Sequence, residues 1–458
     1  MGPSSSSKLA AKEEDDERKP RMAFGDSGEG QSGGMTNCMV NQATVLDSTA
    51  GSYEVLVSVG GISDHVHFRS ETPLGNDDAL LPMALEPSMR VGGVLDLPRG
   101  LSPSIRSSCP KIQDLLADWS GRSGVPQFEH VEVRTSDRPS EPAKGRGVGA
   151  FFTSGLDSTY TALKHSDEIT HLIYVDRFDL PHASSAVREA ALMSVRSSAA
   201  NLNKQLIEVE TNLRDFSDRW VSWTFYHGAA LATVALLLSQ QLYKVYIPSS
   251  LALWQIGPWG SHPSLDPLWG TDSMAIVHDG SEADRIQKIR AIAEHPGALS
   301  HLRVCWENAG DTEESQNCGT CEKCLRTMLS LWRCGLLERA TSFPDHIDPW
   351  AVVRARLPRP DIDIRSQWHD AFVYAIKVRE PALSCVLALV LVRASLAQRF
   401  GDTKWNLWRL GATRRLAEWR RGRRSRLDGP NPRALSSRAV RPHGQNEDAR
   451  TQREVTAD

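Results

Sequence analysis

Two short stretches of this chain hold residue types that can do chemistry at the spacing chemistry needs. The first is Cys305 followed by NCGTCEKCLR over 317–326, which reads C-x12-C-x2-C-x2-C. Two successive C-x2-C steps bring three thiolates around one point, and Cys305 can close a tetrahedral Zn²⁺ site. Gly319 suits the tight turn of the first step, and Lys323 and Arg326 offset the charge of a dianionic tetrathiolate. Four protein ligands (Cys305, Cys318, Cys321 and Cys324) leave no open position, so the expected role is structural. An iron–sulfur cluster is the competitor, because C-x2-C-x2-C also occurs in ferredoxins, but the x3-C-P continuation is missing here.

The second stretch is FFTSGLDS, Phe151–Ser158. A Gly where a strand meets a helix lets the backbone approach a ligand, and Thr and Ser hydroxyls add donors. The amides of such a turn and of the helix N-terminus form an anion site. Asp157 within that nest of donors makes sense beside Mg²⁺. The plainer alternative is a Ser/Asp helix cap after a glycine turn. A Walker A loop is excluded, since no Gly-Lys-Ser/Thr ending follows.

The elements that must carry these residues follow from the periodicity. Residues 1–40 are rich in Ser, Gly and charge and read as disordered. Residues 41–135 read as a small α+β domain, with alternating strands at Tyr53–Val59, Asp64–Ser70 and Phe128–Thr135 and a helix at Ser104–Trp119. Ser136–Arg146 has linker composition. From Gly147 the rhythm changes: apolar runs at Gly147–Ser154, Thr170–Asp176, Lys204–Thr211 and Tyr243–Ser250 alternate with helical stretches. That pattern gives βαβ units and an α/β doubly wound parallel sheet, with ligands beyond the C-terminal ends of the strands. This unit is assigned to 147–345, a helical extension to 346–426, and a disordered tail to 427–458.

Taken together, the loop and the cysteines resemble the PP-loop ATP pyrophosphatases, the adenine nucleotide α-hydrolase-like superfamily, whose signature is Ser-Gly-Gly-x-Asp-Ser after the first strand. Within that group the chain is similar to the 7-cyano-7-deazaguanine synthases, which pair the loop with one Cys and a later C-G-x-C-x-x-C. The matching residues are Thr153, Ser154, Gly155, Leu156, Asp157 and Ser158, then Cys305, Cys318, Gly319, Cys321 and Cys324. The likeness covers roughly Gly147–Leu337. It departs from the pattern at Thr153, which keeps the Ser hydroxyl, and at Ser154, which adds a Cβ where Gly is usual. The resemblance implies a HUP-type sheet with a zinc knuckle, ATP over Thr153–Ser158, Mg²⁺ near Asp157, and Asp157 and Ser158 as catalytic residues. It also implies attack of a substrate oxygen on the α-phosphate, loss of pyrophosphate, and displacement of AMP by ammonia or sulfur. Asp176, ending the second strand of the unit, would face the nucleotide.

Other positions are open to two readings. Ile247–Gly280 holds Ser249, Ser250, Trp254, Trp259, His262, Asp266, Trp269 and Asp272 in one long loop, which suits either a substrate pocket or an Ω-loop covering the sheet. Arg285 and Lys288 lie one helical turn apart and suit a solvated helix face better than a phosphate contact. His227 suits a capping or core histidine better than a base.

Composition limits the alternatives. The 458 residues carry Lys+Arg 53 against Asp+Glu 56, a net charge of -3, which argues against a general polyanion binder. Between Arg393 and Arg441, however, 14 Lys and Arg face only Asp402, Glu418 and Asp428. A tRNA-modifying PP-loop enzyme, such as one that thiolates, would use that basic region on phosphates; no RNA-binding module accompanies it, so nucleic acid is the disfavoured partner. A non-catalytic, degenerate PP-loop protein is the third reading. The first twenty residues have no apolar run, so an export signal is not expected and a cytoplasmic location is. Pro381–Val392 is too short to span a membrane and is expected as a buried helix. The preferred reading is an AMP-forming, ATP-dependent ligase acting on a small molecule, with a nitrogen or sulfur donor protein as a candidate partner.

Overall fold

The computed structural model describes residues 39–122, 125–139, 142–181, 183–305, 317–357 and 364–396. The expectations for 1–38 and for the tail from 397 on, including most of the Arg-rich region, lie outside the described residues. Ten strands make the sheet: β1 (Val40–Thr49), β2 (Ser52–Val59), β3 (Ile62–Arg69), β4 (Val94–Leu101), β5 (Glu132–Asp137), β6 (Gly147–Phe151), β7 (His171–Val175), β8 (Gln205–Thr211), β9 (Leu242–Pro248) and β10 (Ala275–Asp279). Their order is β10-β9-β6-β7-β8-β3-β2-β1-β4-β5. The pairings from β10 to β8 are parallel, those from β8 through β3 and β2 to β1 antiparallel, and those of β1 with β4 and β4 with β5 parallel. The fold is therefore α/β with a mostly parallel sheet.

The helices are α1 (Leu80–Val91), α2 (Pro103–Trp119), α3 (Leu156–Lys164), α4 (Ser185–Asn201), α5 (Leu213–Ser217), α6 (Trp223–Leu237), α7 (Arg285–Ala293), α8 (Glu322–Arg333), α9 (Pro349–Arg354) and α10 (Ile364–Lys377). In the half after Gly147 the chain runs β6, β7, β8 to one side and then returns to lay β9 and β10 on the other side of β6. The order reverses between β6 and β9, and a crevice opens beyond the strand ends at such a switch point. β6 and β7 are buried along their whole length, as central parallel strands must be when helices cover both faces.

The small N-terminal domain expected over 41–135 is corrected by this topology. β3 pairs with β8 through Phe68↔Thr211 and Arg69↔Glu210. Asn212 extends that short ladder, accepting from His67 N at 2.9 Å and donating to His65 O at 2.8 Å. One apolar core runs from Val55 and Leu85 to Leu236 and Trp269. The reason is that β1–β3 alternate in burial, so one face needs cover, and the Ala/Leu-rich α6 supplies it against α1. Tyr226 on α6 donates to Met83 O on α1 at 2.8 Å. The 381–396 helix is also corrected. It is amphipathic: Leu387 and Val390 pack with Trp368 and Val352, while Leu389 and Val392 are exposed. Among the described residues no helix is long and apolar enough to cross a membrane.

One group in this core stands out energetically. Glu86 on α1 is fully buried, and neither carboxylate oxygen has a hydrogen-bond partner. Burial alone pushes its carboxyl well above the ordinary range. The folded chain therefore holds a proton there that the unfolded chain releases, so this group's contribution to stability is full at acidic pH and is lost as pH rises past the ordinary carboxyl range. Glu86→Gln should flatten that decline. Thermal melts of parent and variant across the pH series should converge at low pH and separate at high pH, the variant being the more stable; parallel curves would contradict the assignment.

Candidate functional site

The Phe151–Ser158 stretch leaves β6 at the switch point and turns into α3. Ser154 takes φ 57, the left-handed region, and Gly155 caps α3 without any side-chain bond to the helix. The first amides of α3 are thus left without intrahelical or side-chain acceptors. Ser158 Oγ accepts from Thr153 N at 3.3 Å and donates to Gly155 O at 3.1 Å, which pins the turn. Thr153, Gly155, Leu156, Asp157 and Ser158 line a cavity beyond the strand ends.

Two expected site residues are not on that wall. Ser154 is buried, and its Oγ donates to Ser198 Oγ on α4 at 3.0 Å. Its carbonyl accepts from Arg303 N at 2.8 Å. A left-handed residue at this turn throws its side chain back under the loop, where α4 offers a polar partner, and the backbone strain is of order 1–3 kcal/mol. Asp176 is paired with Arg188 on α4 at 2.5 Å and does not line the cavity; Asp179, three residues on, does. The strand ends one residue earlier than Asp176, and the turn that follows carries Asp179 into the crevice.

Sequence reasoning misplaced the α7 cations. Lys288 is buried, not solvated, and its Nζ donates to Asp157 Oδ1 at 3.0 Å and to Ser249 O at 2.5 Å. Arg285 lines the cavity and donates to Thr327 Oγ1 on α8. Burial, helped by the nearby Arg326, pushes the Arg285 guanidinium down to about 10, and its Nε has no partner. Lys323 of α8 completes a set of cations around the loop. The Asp284 capping box fixes where α7 starts, but not which of its faces is covered.

The loop after β9 supplies the opposite wall with Ser249, Ser250, Leu251, Ile256, Trp259 and Ser261. Trp254 is 65 % exposed, whereas Trp269 is fully buried in the core, so the three tryptophans divide between surface, cavity and core. Asp266 is buried behind the wall, and Asp272 lies in a separate polar hollow at the other end of the sheet. His227 both bonds its own helix, with Nδ1 3.1 Å from Trp223 O, and lines the cavity, its ring 5.5 Å from that of Trp259. Burial holds it below its ordinary value, so it is a neutral imidazole at pH 7.

The four cysteines come together. The Sγ atoms of Cys305, Cys318, Cys321 and Cys324 all lie within 4.8 Å of one another, and Cys318 Sγ is 3.9 Å from Cys324 Sγ. This cluster could hold a metal ion. Thr320 N and Cys321 N point at Cys318 Sγ at 3.4 and 3.3 Å, and Cys324 N points at Cys321 Sγ at 3.4 Å. Contact with Cys305, Cys321 and Cys324 drives the Cys318 thiol far below its ordinary value, while Cys305 and Cys318 drive Cys321 and Cys324 far above theirs. As thiolates, four sulfurs so close would be stabilised by a metal ion among them. Gly319 has φ +65, and a Cβ there would meet Pro344 Cγ at 2.6 Å.

Asn317, which sequence reasoning passed over, is the clamp of this region. Its Oδ1 accepts from Val304 N at 2.8 Å and Cys305 N at 3.2 Å, and its Nδ2 donates to Leu302 O at 2.8 Å and Ser342 O at 3.0 Å. Fully buried, it sews the distant Cys305 to the C-x2-C turn.

Comparison of the chain with known protein families, with characterised proteins and with solved structures finds no match.

The cavity's shape depends on one close approach. A Cβ on Gly228 of α6 would stand 1.8 Å from Gly260 O, and one on Gly260 would stand 2.5 Å from Phe225 O. Gly228→Ala should therefore push the Trp259 wall away from α6 and cost about 3 kcal/mol, the upper end for overpacking. Denaturant unfolding checks this; a loss under about 1 kcal/mol, typical of a tolerated volume change, would mean that the loop is free to move aside.

Proposed function

We propose that this chain is an ATP-dependent, AMP- and pyrophosphate-forming enzyme of the PP-loop kind that adenylates a small molecule. The observation that carries the reading is the uncapped N-terminus of α3 at the switch point, with Asp157 beside it and Lys288, Arg285 and Lys323 converging on the same loop. Free helix amides and several cations in one crevice suit a polyphosphate. Developing negative charge on a departing pyrophosphate would meet the amides of Leu156, Asp157 and Ser158 and the α7 and α8 cations, already in place before reaction. The Thr153 hydroxyl adds a donor on the same wall. The apolar and aromatic wall of Phe178, Trp223 and Trp259 suits the uncharged part of the acceptor and excludes water.

Asp157 is the group of this chain that would hold Mg²⁺, which supplies charge neutralisation on the phosphates when bound. The same carboxylate is paired with Lys288 at 3.0 Å. The cysteine cluster is read as a structural Zn²⁺ site, because four sulfurs leave no open position. Loop residues Thr153 and Ser154 depart from the signature, and the backbone amides, not the Ser154 side chain, would carry the anion contacts.

Purified chain incubated with MgATP should release pyrophosphate and AMP when supplied with its acceptor, and should bind ATP without it. Asp157→Asn should keep the fold, since the amide oxygen can still accept from Lys288, and should lose pyrophosphate release by a factor of at least about 100. Unchanged turnover would leave the loop as no more than a helix start. Elemental analysis should find one Zn²⁺ per chain, and Cys324→Ser should lower stability by several kcal/mol, because metal affinity here is folding free energy. Iron with a brown chromophore would replace zinc by a cluster, and a metal-free chain of full stability would remove both.

A further inference from the structure

α10 and the helix over 381–396 share one buried cluster, in which Trp368, Ala371 and Ala375 meet Leu387 and Val390. Each helix also carries a second apolar stripe. Leu389 and Val392 stand two residues beyond Leu387 and Val390, and Val373 stands two beyond Ala371. Two residues are about 200° round a helix, so these side chains point away from the cluster. Ile376 and Leu396 continue the two stripes one turn on. The five side chains are 46 % to 55 % exposed. Cys385, also exposed, completes the 3- and 4-residue spacing of a single face on the 381–396 helix. Arg393 fixes that helix to the end of α9, donating to Val353 O and Ala355 O.

The sequence that continues from Leu396 has one character. Residues 397–426 hold ten Lys and Arg against only Asp402 and Glu418, with Phe400, Trp405, Trp408 and Trp419 spaced among them. We propose that the outer stripes and this basic, tryptophan-bearing run form one surface that docks on an anionic phospholipid bilayer, lying at its interface without spanning it. The inference is independent of the AMP-forming reading. A bilayer interface takes all three kinds of side chain in one plane: aliphatic groups at the acyl boundary, tryptophan rings at headgroup level and arginines on lipid phosphates. A nucleic acid would answer the arginines and stack on the tryptophans, but it offers nothing to five half-exposed aliphatic side chains. A second copy of the chain would cover the stripes but would bring two strongly basic runs side by side. Nor does the run find its counter-charge by folding back on the 381–396 helix, which contains no Asp or Glu. Anionic lipid supplies the negative charge and the apolar phase together. The whole chain is net -3, so the part outside the basic stretch is acidic. The same lipid charge repels that part, which orients the molecule with its C-terminal helices against the membrane.

Flotation of the full chain with vesicles tests this. Vesicles of phosphatidylcholine and phosphatidylglycerol in equal parts should carry the chain at least about tenfold better than phosphatidylcholine alone, and added salt should weaken the binding. Two variants separate the contributions. Leu389→Gln, Val392→Gln and Leu396→Gln together change exposed positions only, so the thermal melt should stay as in the parent while vesicle binding falls about tenfold. Arg420→Gln, Arg421→Gln, Arg423→Gln and Arg424→Gln together should lose at least as much and most of the salt dependence. A parent that does not float with anionic vesicles overturns the proposal, whether it is instead retained on tRNA or sediments as a dimer that the Leu389, Val392 and Leu396 changes dissociate. Parental binding by the triple glutamine variant at an unchanged melt also overturns it, because the stripes would then take no part.

Discussion

The C-terminal edge of the sheet is organised around one buried ammonium. Lys288 joins Asp157, on the β6 side of the switch point, to the Ser249 carbonyl, on the β9 side. A buried lysine is costly unless every donor is answered, and breaking such a pair leaves an uncompensated charge. The pairing therefore holds the two walls of the crevice at a set separation. A second charged knot backs it: Asp279, at the end of β10, accepts from Thr161 Oγ1 at 2.7 Å and from Lys164 Nζ and His165 Nε2 at 2.8 Å each. These bonds anchor the far end of α3, so the helix whose N-terminus faces the cavity is fixed at both ends. Burial works against the Asp279 carboxylate, but its bonds to Lys164, His165 and Thr161 hold its carboxyl below the ordinary value.

The cysteine cluster belongs to the same mechanical chain. Cys321 begins α8 as its N-cap, and two residues later Lys323 reaches the cavity. Thr327, one turn further, holds Arg285, and Glu322 accepts from Trp368 Nε1 at 3.1 Å and forms an ion pair with Arg326. The set of the four sulfurs thus fixes the rotation of α8, and with it two of the cations around the loop. A metal held by those four sulfurs would act on the loop through the orientation of α8.

Much of this was legible from residue types and spacing. The cysteine spacing named all four sulfurs, because short-range steps and a tight glycine turn determine local geometry. The loop was found for the same reason: a strand end, Gly155 and Asp157 lie within a few residues. What escaped was set by tertiary contact. Arg285 and Lys288 read as a solvated face because nothing nearby in the chain says that α3 and α8 cover it. Ser154 read as a cavity hydroxyl because its positive φ is invisible in the sequence. Asp176 gave way to Asp179 because a turn carried the chain past the expected position. The separate domain at 41–135 failed for a related reason: the two ladder pairs between β3 and β8 join residues more than 140 positions apart, beyond the reach of any local pattern.

That unbroken sheet bears on how the molecule can move. Enzymes that bind nucleotides between two lobes close by swinging one lobe against the other about a few hinge residues. Here the ten strands and the shared core deny the chain any such hinge between its first and second halves. Sequestering a ligand from water must fall to the connections above the strand ends, chiefly the segment after β9. Any closure over the crevice would then cost the ordering of a few side chains such as the exposed Trp254, a motion on the timescale of loops and not of lobes.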